Sequence, residues 1–221
     1  MTLPQAPTDF RLSFIEFAIA RQVLRFGEFE TKAGRRSPYF FNAGLFNDGI
    51  SMARLCEFYA EAALASGLSF DMLFGSAYKG IPLVTGVAMA LAAKGINYPF
   101  AYNRKEAKDH GEGGMVVGAP IQGRVLIVDD VISAGTSARE SVELIRKAGG
   151  EPAGMLIALD RMERGQGELS ATEEVEREFS IPVISVATLD HLINFLALQD
   201  NNDFSSNWKA IAAYRARYGS R

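Results

Sequence analysis

Strands alternating with helices along most of the chain predict an α/β protein with a mostly parallel, twisted sheet flanked by helices. Three observations carry that reading. The apolar runs DMLFG (71–75), RVLIVDD (124–130), AGMLIALD (153–160) and IPVISVA (181–187) are near-continuous, as strands covered on both faces must be. The stretches between them repeat apolar residues with a helical period. Proline and glycine punctuate the joints, with Pro82 in a first helical turn and Gly67 and Gly95 just past helix ends.

Taken in order, 9–26 reads as an amphipathic helix, with Phe10, Phe14, Phe17, Ala18 and Val23 at helical spacing. GEFETKAGRRSPYFFNAG (27–44) reads as two short strands joined by a Gly-Arg-Arg-Ser turn. Residues 50–66 form a helix that Gly67 ends, 71–75 a strand, and IPLVTGVAMALAAKG a second helix. INYPFAYN is strand-like. RVLIVDD is a buried strand, TSARESVELIRKAGG a helix, AGMLIALD a strand, TEEVEREFS a helix and IPVISVA a strand, and two helices finish the chain. Residues 103–114 and 161–170 lack apolar periodicity. There is no internal repeat, low-complexity tract or linker, so one domain over 1–221 is the simplest organisation.

The bulk numbers bound the function. With 221 residues, 48% hydrophobic and 22% charged, the chain is long enough to bury a proper core. A net charge of −3 argues against wholesale nucleic-acid binding. One cysteine, Cys56, forms neither an intrachain disulfide nor a cysteine metal cluster; it lies among apolar neighbours and is read as packing. MTLPQAPTDF lacks a basic region followed by an apolar run, so no signal peptide is expected. No apolar stretch approaches the ~20 residues a bilayer span needs. A cytoplasmic protein is expected.

In such sheets ligands bind at the carboxyl ends of strands, and the chemistry-bearing residues lie there. VLIVDDVISAGTS (125–137) runs from a buried strand into Asp129 and Asp130, then into the small residues Ser133, Ala134, Gly135, Thr136 and Ser137 at a helix start. Small side chains let an anion approach the backbone N–H groups, and the helix adds its positive dipole end. The hydroxyls of Thr136 and Ser137 suit the same phosphate. The two aspartates suit neutral hydroxyls, such as a ribose diol, or a hydrated Mg²⁺. An acidic strand end followed by an ordinary N-cap is the plainer alternative, but the segment carries more than a cap needs. FGSAYKG (74–80) is a second strand–helix loop with a cation at Lys79; alone it is equally an ordinary turn or a second anion site. NRKEAKDHGEGG (103–114), with Arg104, Lys105, Lys108 and His110, is either a solvated loop or a cationic lid. Phe40 and Phe41 are either core or pocket. Arg161, just past a strand, suits a carboxylate through a bidentate fork. His191 and Trp208 are read as structural. Neither a GxxxxGK[ST] nor a GxGxxG pattern occurs, and no Ser-His-Asp or metal-ligand constellation stands out.

These segments resemble the type I phosphoribosyltransferases, whose signature for phosphoribosyl pyrophosphate is met by VLIVDDVISAGTS. Within them the chain is similar to the branch acting on orotate, through FIEFAIARQVLRFGEF, SPYFFNAGLF, LFGSAYKGIP, NRKEAKDHGEGG and LDRMERG. The resemblance runs from about Phe14 to the C-terminal helices. It implies the type I fold with a small N-terminal hood, about 1–45 plus C-terminal elements, on a core of about 46–190. It implies transfer of the phosphoribosyl group to N1 of orotate. It also implies Mg²⁺ held mainly through the substrate, with no direct protein ligand, and a homodimer with shared active sites. The implied phosphoribosyl pyrophosphate residues are Lys32, Tyr78, Lys79, Arg104, Lys105, Lys108, His110, Asp129, Asp130, Val131, Ile132, Ser133, Ala134, Gly135, Thr136 and Ser137. The 5′-phosphate would sit on 133–137, the ribose hydroxyls on Asp129 and Asp130, and the pyrophosphate beside Tyr78, Lys79 and Lys32. Orotate would meet Phe40, Phe41, Ser133 and Arg161. Lys108 and Asp130 would be catalytic, Lys108 following the departing pyrophosphate, and Arg104, Lys105, Lys108 and His110 would complete the partner's site. Two departures stand out. Ser133 replaces a frequent threonine and keeps its hydroxyl. Ser76 replaces a frequent proline in a loop that in the family can hold a strained peptide bond. A purine or uracil phosphoribosyltransferase, and a non-catalytic sensor of phosphoribosyl pyrophosphate, are the alternatives.

Overall fold

The computed structural model describes residues 9–31, 34–108, 114–133, 135–165, 167–199 and 202–220, with only the backbone at 107–108 and 202–204. In chain order the elements are α1 (Phe10–Ala20), β1 (Leu24–Glu30), β2 (Arg36–Phe41), a 3-10 turn (Ala43–Leu45), α2 (Gly49–Ala65), β3 (Met72–Gly75), α3 (Gly80–Ala93), β4 (Phe100–Lys108), β5 (Gly114–Gly118), β6 (Arg124–Val128), α4 (Thr136–Lys147), β7 (Glu151–Asp160), α5 (Ala171–Phe179), β8 (Val183–Thr188), α6 (Leu189–Ala197) and α7 (Asn202–Tyr218). The main sheet has the order β5-β4-β3-β6-β7-β8, parallel throughout except where β5 joins β4 antiparallel. β1 and β2 form a separate antiparallel hairpin.

Both faces of the sheet are covered, and the side-chain period of two assigns residues to each. Leu73, Leu126, Val128, Leu156 and Ala158 pack with α2, α3, α6 and the α1–hairpin layer. Met72, Phe74, Val125, Ile127, Met155 and Ile157 pack under α4 and α5. This is why the strand runs are apolar at every position. Cys56 is buried between α2 and α3, and burial first, then Glu57, pushes its thiol up to about 12. His191 caps α6 through Thr188, and Trp208 lies on α7 against the main core.

Three expectations shift. The first helix ends at Ala20 rather than near 26, because Gln22 turns to φ 56 and Val23 drops into the core ahead of β1. Arg36 and Ser37, expected in the hairpin turn, already belong to β2, which begins at Arg36. The largest difference is at 103–114. β4 continues through Asn103 to Lys108 and pairs with β5, a strand the sequence did not disclose. Backbone pairing joins the described residues of the two strands. The arm's residues are mixed and charged, and β5 is largely exposed, so no alternation marked it.

Candidate active site

The topology makes a crevice between β3 and β6. These neighbouring strands are parallel, yet the helices that follow them leave to opposite faces, α3 to one apolar layer and α4 to the other. Such a switch point opens a cleft at the strands' carboxyl ends. Gly75 pairs with Val128, so the next residues, Ser76 and Asp129, are side by side. The close approach also explains the glycines: a Cβ on Gly75 would lie 2.3 Å from the Gly80 carbonyl, and one on Gly80 would lie 2.7 Å from that of Val128. Their first role is strand–helix packing. The Ala77–Tyr78 peptide bond in this loop is cis.

Asp129 and Asp130 are 6% and 7% exposed. Their backbones extend the β6–β7 ladder, Asp129 N donating to Leu156 O at 3.0 Å and Asp130 O accepting from Ala158 N at 2.9 Å. Tyr59 adds a hydroxyl bond to the Asp129 carbonyl at 2.9 Å. The Asp129 carboxylate is held at both oxygens. Oδ2 accepts from Ser76 Oγ at 2.6 Å and Ser137 Oγ at 2.8 Å, and Oδ1 from Asp130 N at 2.8 Å. Burial lifts its pKa above the ordinary value, against the pull of those hydrogen bonds. Asp130 Oδ2 accepts from Lys79 Nζ at 2.5 Å. The pair of acids is thus tied to the β3–α3 loop by two side chains.

A cleft of about 230 Å³ lies beside them, lined by Val131, Ile132, Ser133, Gly135, Thr136, Ser137 and Lys105 among others. Gly135 stands at the α4 N-cap with φ 71 and supplies no side-chain cap. The amides of the first turn are therefore left for a ligand, which is the arrangement an anion needs. Ser133 and Thr136 are exposed there. Ser137 differs from expectation: its hydroxyl donates to Asp129, so it offers a phosphate its amide rather than its side chain. Tyr78 is exposed and Lys79 partly so, at the other wall. Lys105 pairs with Glu140 of α4 at 3.5 Å, and Arg104 Nη1 donates to Gly114 O at 3.2 Å. Lys32, His110 and Ala134, and the side chain of Lys108, lie outside the described residues. Among the described residues no group of three or more His, Cys, Asp or Glu side chains is placed to hold a metal. Two adjacent carboxylates suit a hydrated Mg²⁺ nearby.

Arg161 follows β7 at the same edge of the sheet. Its Nε and Nη2 donate to Glu163 Oε1 at 2.8 and 2.6 Å, Nη2 lies 3.3 Å from Ser37 Oγ, and its guanidinium lies 4.6 Å from the Tyr39 ring centroid. The two phenylalanines part company, because neighbours on a strand point to opposite faces. Phe41 packs near Phe14 of α1, whereas Phe40 stacks on Phe29 beneath Arg25. The sequence reading missed Ser37, Tyr39, Tyr59, Asn103 and Glu163. Asn103, whose Oδ1 accepts from Ala77 N at 2.7 Å, had a signal, a polar residue closing an apolar strand. The others have none without the register.

A switch-point crevice, buried paired acids and an uncapped helix start are what an α/β protein needs to hold a phosphorylated sugar. Residues 46–183 match the family model described as "Phosphoribosyl transferase domain". Orotate phosphoribosyltransferase of Chromobacterium violaceum is 64% identical over 212 residues, covering 96% of this chain and 98% of that one. The crystal structure of orotate phosphoribosyltransferase from Francisella tularensis is similar with a TM-score of 0.84 and 41% identity, over 94% of this chain and 100% of that one. The Mycobacterium tuberculosis enzyme solved with 5-phospho-α-D-ribosyl 1-diphosphate shares the fold at 22% identity and a TM-score of 0.61, over 82% of this chain and 98% of that one. The chain belongs to the phosphoribosyltransferase family, and within it to the orotate phosphoribosyltransferases. Among the described residues no helix is long and apolar enough to cross a membrane.

Proposed function

We propose that the chain transfers the 5-phosphoribosyl group of phosphoribosyl pyrophosphate to N1 of orotate, releasing pyrophosphate and orotidine 5′-monophosphate, in the cytoplasm and as a homodimer with shared sites. The observation that carries the reading is the Asp129–Asp130 pair beside the uncapped amides of α4. The amides of 133–137 take the 5′-phosphate, where the partial positive charge of the helix start is already oriented. Asp129 and Asp130 take the ribose hydroxyls, which are neutral donors and cost a buried carboxylate nothing in repulsion. Lys79 exchanges part of its bond with Asp130 for the pyrophosphate, with Tyr78 and Lys32 beside it. Arg161 takes the carboxylate of orotate, with the Phe40–Phe41 segment and Ser133 bounding the base.

Breaking the anomeric C–O bond leaves oxocarbenium character on the sugar and concentrated negative charge on the departing pyrophosphate. Cations fixed in advance stabilise that charge without reorganising. Lys108, with Arg104, Lys105 and His110, does so from the β4–β5 arm, which also keeps water from the ribosyl centre. Mg²⁺, when bound, would supply charge neutralisation for the pyrophosphate and would be held mainly through substrate, with Asp129 and Asp130 as the nearby acids.

Orotate consumption with phosphoribosyl pyrophosphate and Mg²⁺ tests the whole reading, run beside uracil, adenine and hypoxanthine. Turnover of orotate above the other bases is expected. Preference for another base moves the chain to a different branch, and ligand binding without any product makes it a sensor.

A further inference from the structure

The polar cluster past the end of β7 contains an acid that the reaction outlined above does not use. Glu163 is 15% exposed at its side chain, and its Oε1 accepts three donors: Arg161 Nε, Arg161 Nη2 and, at 3.3 Å, the Tyr39 hydroxyl. Those two nitrogens are one edge of the guanidinium. Arg161 is also fixed in face by the Tyr39 ring and near Ser37 Oγ. The remaining nitrogen, Nη1, donates to no protein atom among the described residues, and the side chain keeps 25% of its surface open. An arginine with its Nε–Nη2 edge occupied, its Nη2 also donating to Ser37 Oγ, and only Nη1 left open is set to receive a carboxylate at one nitrogen and from one direction.

We propose that Glu163 is a positioning residue for base recognition: by occupying the Nε–Nη2 edge of Arg161 it presents the Nη1 end to the carboxylate of orotate. This rests on Arg161 being the base contact. Two effects of Glu163 oppose each other. Its negative charge repels an incoming carboxylate, whereas its hydrogen bonds remove the rotational freedom a long arginine would otherwise lose on binding. The geometry favours the second. The charge is already compensated by two guanidinium bonds at 2.8 and 2.6 Å, while the Tyr39 ring and Ser37 Oγ hold the face and Nη2 but leave Nε without another acceptor among the described residues. A donor held open in this way also penalises bases without a carboxylate, which leave it unpaired.

The test is steady-state kinetics on the full-length wild type, Glu163→Ala, Glu163→Gln, Arg161→Ala and the Glu163→Ala/Arg161→Ala double variant, with KM measured separately for orotate and phosphoribosyl pyrophosphate. Glu163→Ala is expected to raise the orotate KM about tenfold while leaving that for phosphoribosyl pyrophosphate within about twofold, and to add nothing further once Arg161 is alanine. Glu163→Gln keeps the volume and is expected to raise the orotate KM at least about threefold; it decides alone if the alanine variant does not fold. Equal rises in both KM values, additive effects in the double variant, or an unchanged or lower orotate KM in both Glu163 variants overturns the proposal. An Arg161→Ala enzyme with wild-type orotate KM overturns the base contact itself, and a strong Arg161→Ala effect beside silent Glu163 variants overturns only the positioning role.

Discussion

Asp129 is an acid kept in a place that disfavours its charge, and at the residue scale this gives a measurable signature. Burial raises its pKa above 3.8 despite the bonds from Ser76, Ser137 and the Asp130 amide. The folded chain therefore binds a proton there more readily than the unfolded chain. Its contribution to stability is complete below the unfolded value and is lost as pH rises through the folded one. At neutral pH the charged carboxylate is a net cost. Asp129→Asn is expected to melt about 2 °C or more above wild type at pH 7.5, with the gap closing as pH falls toward 3.8, while activity drops at least about tenfold. Thermal scans from pH 4 to 7.5 check it, and a variant less stable than wild type at pH 7.5 shows that the three hydrogen bonds outweigh desolvation. Lys108 carries a different kind of prediction. If it follows the departing pyrophosphate, its loss costs ~3 kcal/mol in the transition state, so Lys108→Ala turns over about 100-fold more slowly with a smaller change in ground-state affinity. A kcat within about threefold of wild type removes it from the chemistry.

Among the elements, α2 and α3 meet so closely that one methyl is decisive. A Cβ at Gly86 would stand 2.3 Å from Cys56 Sγ. Gly86→Ala is expected to cost ~1–3 kcal/mol by overpacking, a fall of several degrees in Tm for a chain of this size. Cys56→Ala clears the space, so the Gly86→Ala/Cys56→Ala pair should melt within about 2 °C of Cys56→Ala alone. Additive losses would place the strain in the helix backbone rather than at the sulfur. Contacts of this kind mark what the sequence could disclose. β3, β6, β7 and β8 were legible because burial on two faces writes an unbroken apolar run, and Asp129 and Asp130 because they interrupt one. β5 was not, since its residues pair without being buried. Nor were Ser37 and Glu163, because Ser37 meets Arg161 from 124 positions away and only the packing of the hairpin against the sheet brings them together. Phe40 and Phe41 looked alike in sequence and separated only once the pleat assigned each a face.

For the molecule as a whole, the open question of assembly reduces to where the β4–β5 arm acts. Pro82 and Met89 leave exposed apolar surface on α3, a surface suited to a second copy. Within the chain, Lys105 of the same arm lines the cleft and pairs with Glu140. A dimer with crossed arms puts Lys108 and Asp130 of one site on different subunits; a self-contained site puts them on one. Lys108→Ala and Asp130→Ala proteins, each inactive alone, separate these arrangements when equal amounts exchange subunits. Random exchange makes about half the dimers mixed, and crossed arms give each mixed dimer one intact site of two, so about a quarter of wild-type activity should return. A self-contained site leaves every active site damaged and returns none. Native mass spectrometry confirms that mixing has occurred, so silence in the presence of mixed dimers would assign the lysine-rich arm to its own chain, where the Lys105–Glu140 pair already holds its near end.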